Sequence, residues 1–199
     1  MSALEERFQA ILSKSNQKDN EEATKKRLTN DLVKAHDDLK DLAGRIEDSV
    51  QALFFIDLNN FFKKQGFDSS LNSNKGYIYK NGTKQIEVTP TDAASRKIAF
   101  LVKQNLTQLK DCRIEVSFKN TALSHAMQAS AQSLTIISST SVENLSDWLR
   151  RLESDKSLLE QTIGGLSIQD LTFEYFMLGS RQAKKENTPV ELIVSMLEK

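Results

Sequence analysis

From Glu21 to Gln65 the chain contains no proline, and Leu28, Leu32, Ala35, Leu39, Leu42, Ile46, Ser49, Leu53 and Ile56 recur in alternating steps of four and three. This spacing holds one apolar stripe on one side of a helix, so it predicts a long helix with a coiled-coil-like seam. The seam has two readings. Leu28, Leu32, Ala35, Leu39, Leu42 and Ile46 can meet a partner helix, from a second copy or another helical protein, or the helix can pack within its own chain as in a bundle. Ala35 and Ser49 are small for seam positions, and Gly44 costs about 1 kcal/mol against alanine in a helix. Both facts weaken the pairing reading.

Upstream, Leu4, Phe8, Ile11 and Leu12 form one face of a short amphipathic helix, and the polar run from Ser13 to Asn20 reads as a hinge. Downstream, Leu53, Phe54, Phe55, Ile56, Leu58, Phe61 and Phe62 are too broadly apolar for a two-helix seam. They predict burial in a core, with Gly66 ending the helix.

Asn81-Gly82, between Tyr77-Ile78-Tyr79 and Ile86-Glu87-Val88, predicts a type I′ hairpin with Tyr79 opposite Lys84 and Tyr77 opposite Ile86. Tyr77, Tyr79, Ile86 and Val88 then share its apolar face. Thr89-Pro90-Thr91-Asp92 has the form of a helix start, and Ala94, Ile98, Leu101, Val102 and Leu109 supply a stripe for the helix it predicts. Arg113 to Lys119 alternates with period two, as a half-buried strand does. Thr121 to Ala131 suits a helix, and Leu134 to Ile137 is a short β-prone run.

Thr140-Ser141-Val142-Glu143 is a capping box for a helix that closes at Gly164-Gly165. After Ser167, residues 168–178 read as a helix, although Leu171 to Phe176 would also serve as a strand. Thr188-Pro189-Val190-Glu191 opens a last helix. Together these elements predict an α+β, predominantly helical fold. Its parts are a helical arm over 1–52, a small α+β domain with a β-hairpin and a basic surface over 53–139, and a helical C-terminal region over 140–199.

Charge changes this picture in one respect. The 27 basic and 27 acidic side chains cancel overall, yet residues 63–119 hold eleven cations against five carboxylates while both flanks are acidic. A basic middle can contact an anionic partner or be neutralised by its own flanks. Lys80, Lys84, Arg96, Lys103 and Lys110 are the candidate contacts to nucleic-acid phosphates. The hairpin tyrosines share a face with Ile86 and Val88, so they are core rather than a base-stacking platform.

Candidate chemistry is sparse. The seven glycines make neither GxGxxG nor GxxxxGK[ST], and two histidines with one cysteine make neither HExxH nor CxxC. Cys112 with His125 is the one thiol and base pair available to a nucleophilic mechanism. Each also has a plainer role, Cys112 as a small buried hydrophobe and His125 as a solvated helix residue. His36 stands among Asp37, Asp38 and Asp41. A lone cysteine, and a start lacking the basic and apolar parts of a signal peptide, point to a cytoplasmic protein with no membrane span.

The expected function is therefore that of a non-enzymatic interaction or assembly protein acting through its helical arm, oligomeric, with no cofactor, metal or small-molecule substrate. The alternative is a nucleic-acid-binding module using residues 63–119.

Overall fold

A computed structural model describes residues 3–91, 98–105, 109–136, 139–177 and 183–197. Its organising element is α1, Ala3–Lys64, a single helix of 62 residues. The polar run expected as a hinge lies within it without a break. The side chains of Ser13, at the start of that run, and Thr24, one turn beyond its end, donate back to the carbonyls of Ala10 and Asn20. Such bonds satisfy short polar side chains without leaving the helix.

The helix ends as Gly66 predicts. Gly66 has φ of +76°, Phe67 N–H donates to the Phe62 carbonyl and Gly66 N–H to the Lys63 carbonyl. These are the two bonds of a Schellman motif, and its usual hydrophobic contact is present as Phe62 against Phe67, ring centres 5.2 Å apart.

The chain then builds a seven-stranded antiparallel sheet whose spatial order follows the sequence. Its strands are β1 (Asp68–Leu71), β2 (Tyr77–Asn81), β3 (Lys84–Thr91), β4 (Ile98–Asn105), β5 (Leu109–Phe118), β6 (Leu171–Met177) and β7 (Ala183–Glu186). Between β5 and β6 come α2 (Thr121–Ala131) and α3 (Val142–Ile163), and α4 (Pro189–Leu197) follows β7. One face of the sheet carries Tyr79, Ile86, Val88, Phe100, Val102, Ile114, Val116, Phe173 and Tyr175 into a core shared with all four helices. Phe54 stacks on Phe100 with ring centres 3.8 Å apart, so the broad aromatic part of α1 lies across the middle of the sheet. The opposite face holds half-buried Glu87, Lys103, Arg113, Glu115, Glu174 and Phe176.

The α+β class with helix in the majority is as expected from periodicity, but three of its expected parts are corrected. The arm is not a coiled coil, because its seam lies inside the chain's own core. The mixed part is a full sheet rather than a hairpin with one or two strands, and the C-terminal region is not simply helical, since it supplies β6 and β7.

Residues 98–105 are strand β4, not helix. Their apolar residues satisfy both periods, and pairing with β3 and β5 along the whole strand decides between them. Pro90 is not a helix start but a strand residue opposite Phe100. β2 begins opposite Val88, so beyond that point β3 has no ladder partner on its β2 side and the missing N–H is tolerated. Ser167 caps only a 3-10 turn before β6. Leu134 and Ile136 pack in a small cluster with Leu28, Leu32 and Leu145 without forming a strand.

The hairpin register also differs. Asn81 pairs with Lys84, Tyr79 with Ile86 and Tyr77 with Val88. The turn residues are thus Gly82 and Thr83, with φ of +59° at Gly82. A II′ turn needs positive φ only at its first central residue, whereas I′ demands it at both. The shift by two residues keeps the same apolar face and brings Tyr79 directly opposite Ile86.

Candidate functional site

The six seam residues are all buried. Leu28 and Leu32 pack against Leu145, with Leu149 and Leu152 at the margin. Leu39, Leu42 and Ile46 enter the main core beside Leu123, Met127 and Leu159. The partner helix is therefore α3, which runs parallel to α1: Leu145 lies beside Leu28 and Leu32, and eleven residues on, Lys156 reaches the Asp38 carboxylate at 2.7 Å. The Lys156 ammonium holds that carboxyl below its ordinary range. Buried His36 closes the other side, its Nε2 2.8 Å from the Gln132 carbonyl at the end of α2.

What α3 leaves uncovered is the first part of α1. Every residue from Arg7 to Ala23 is exposed, and burial begins at Leu28. At 1.5 Å per residue the helix from Ala3 to Arg27 projects about 37 Å. Near its tip Phe8, Ile11 and Leu12 stand in solvent, 59%, 64% and 39% exposed. They are spaced i, i+3 and i+4, which places them on one face. The sequence shows this stripe plainly; what it does not show is that these residues, rather than the seam, remain without cover.

The basic candidates do not converge. Lys80 and Lys84 are exposed at the end of the β2–β3 hairpin. Lys103 is half-buried on the other side of β3, in register between Glu87 and Asp111. Lys110 belongs to β5, and Arg96 lies outside the described residues. Nearby charges are also paired within the sheet, Arg113 with Glu115 and Lys185 with Glu174, each at 3.3 Å. Neither pair reduces the basic excess over 63–119, since Arg113 and Glu115 both belong to that stretch and Lys185 and Glu174 both lie outside it.

Cys112 points into the core from β5, 3% exposed, whereas His125 is exposed on α2. Two carboxyls are pushed above their ordinary range by burial, Asp57 on α1 and Asp155 on α3, the latter partly offset by His125. Among the described residues no group of three or more His, Cys, Asp or Glu could hold a metal ion. None of the described helices is long and apolar enough to cross a membrane.

Of the concave regions, two border the ends of α2 and α1. A groove of about 460 Å³ runs between the end of α2 and α3, lined by Ala129, Leu134, Leu152 and Trp148 with Arg151 and Asp155. Trp148, the single tryptophan of the chain, is 38% exposed. A second cavity, of about 630 Å³, lies between the end of α1 and the β2–β3 hairpin. Comparison with protein-family models, with curated proteins and with solved structures finds no match in any of the three.

Proposed function

We propose that this chain is a non-enzymatic interaction protein of the cytoplasm, in which a folded α+β body holds out a helical arm that docks on a partner. The observation that carries this reading is the exposed stripe Phe8, Ile11 and Leu12 at the end of an otherwise polar, solvent-surrounded helix. Anchors at i, i+3 and i+4 are those by which an amphipathic helix enters an apolar groove. A second copy is the first partner to test, because the chain carries such a groove beside Trp148. Its own arm, continuous with α1 and directed past the start of α3, does not reach that groove. Contact between copies would be head to tail, arm into groove.

Light scattering of the full chain over a range of concentrations, with Trp148 emission followed in parallel, tests this. Self-association predicts a rising mean mass and a blue shift as Trp148 leaves water. Both changes are lost when Phe8, Ile11 and Leu12 are replaced by glutamate. A monomer at every concentration, or association that the triple variant retains, rejects the second copy as partner.

A further inference from the structure

The cavity at the end of α1 follows from where the helix stops. The Schellman turn at Gly66 ends α1 beside the inward-facing row that runs from Tyr79, stacked under Phe62, to Ile86 on β3 and Gln104 on β4, and Ile86 and Gln104 line the cavity there. Phe62 and Phe67, held together by that turn, form one wall with Phe61, and Lys84 stands at the hairpin side.

Gln104 is out of place by the logic of its strand. Ile98, Phe100 and Val102 are buried on the inward face of β4, and Gln104 continues their alternation as a polar side chain. It is only 8% exposed, lines the cavity and makes no side-chain hydrogen bond among the described residues. Buried amides in folded proteins nearly always have partners, and an amide bordering a cavity without one is placed to receive them from a ligand.

The charge around the cavity has one sign. No aspartate or glutamate is among the described residues lining it, and Lys84 is. Residues 61–86, which supply most of the wall, carry five lysines against the single acid Asp68. Phenylalanine walls, the amides of Gln65, Asn81 and Gln104 and one ammonium together suit a flat apolar body bearing a carboxylate, and 630 Å³ accommodates one or two rings.

We propose that this cavity is a binding site for a small aromatic carboxylate, whose ring lies against Phe61, Phe62 and Phe67 and whose polar groups are met by Gln104 and Lys84. The site is independent of the arm and its partner.

Calorimetric and NMR titrations of the full chain with indole-3-acetate and with uncharged indole-3-acetamide test it. The carboxylate binds about tenfold more tightly than the amide, a difference that shrinks as salt rises and disappears in Lys84→Gln. Gln104→Leu weakens both probes, since it removes the amide that meets their polar groups. Lys84 is exposed, so its variant folds and reports binding even if Gln104→Leu does not. Absence of binding by either probe at millimolar concentration overturns the proposal. So does equal binding of both in the wild type, or chemical-shift changes that map away from Phe61, Phe67 and Lys84.

Discussion

Asp57 shows how one side chain ties the two ends of the chain together. It lies half-buried on α1 and accepts a hydrogen bond from the Val190 N–H in the first turn of α4, while its Oδ2 has no hydrogen-bond partner. Burial raises its pKa more than that N–H lowers it, and neighbouring Glu191 adds to the rise. A carboxyl that holds its proton more tightly in the folded state stabilises the fold fully below its ordinary pKa of 3.8. That contribution is lost as pH climbs through the raised value. Asp38 and Asp170 act in the opposite sense: their lowered pKa values, set by Lys156 and by Ser167, add stability that disappears on acidification. Asp57→Asn keeps the acceptor for Val190 and removes the charge. Urea unfolding between about pH 3 and pH 7 should show the variant gaining stability relative to wild type as pH rises, and a constant difference would contradict this account.

At the scale of elements, the α1–α3 pairing carries the largest continuous helix contact, and its seam makes a clear prediction. Leu39 is fully buried, so Leu39→Ala removes core packing and leaves a cavity, a loss of about 2–5 kcal/mol in chemical denaturation. Were the seam an interface between copies, the same substitution would change oligomeric mass before stability. Here the expected order is reversed.

The helices were largely legible because their ends are written locally. Asn120 accepts from the N–H groups of Ala122 and Leu123, Ser141 from that of Asn144, and Thr188 from that of Glu191. β4 was not legible and β6 only as the second reading of Leu171 to Phe176, because Ile98, Leu101 and Val102, like the residues of β6, fit a helical stripe as well as a strand, and only the neighbours assembled from distant residues choose between them. The same ambiguity hid the cavity. Gln104 reads as an unremarkable polar residue on a helix and becomes an anomaly only once its strand is known to face inward.

For the molecule as a whole, the arm and the body are energetically separable. Residues 7–23 touch water on every side, so a chain lacking the first 23 residues should keep the thermal midpoint and the near-ultraviolet circular dichroism of the full protein. A clear fall in the midpoint would mean that the arm supports the body. The seam itself, visible in the sequence as a stripe with two readings, could not be assigned from spacing alone, because a partner helix inside the chain and one outside it ask for the same side chains. Position decides: α3 begins more than a hundred residues after Leu28, beyond the reach of any local pattern.

That separation also bears on synthesis. The stripe from Leu28 to Phe62 leaves the ribosome early, while α3, which covers its upper part, follows only after five strands and α2 have been made. At about 5–20 residues per second, Leu28 and Leu32 wait roughly 6–23 s for Leu145. During that interval the nascent chain displays a long row of leucines with nothing of its own to cover them, so chaperone capture at this stage should govern how much of the protein reaches the native state.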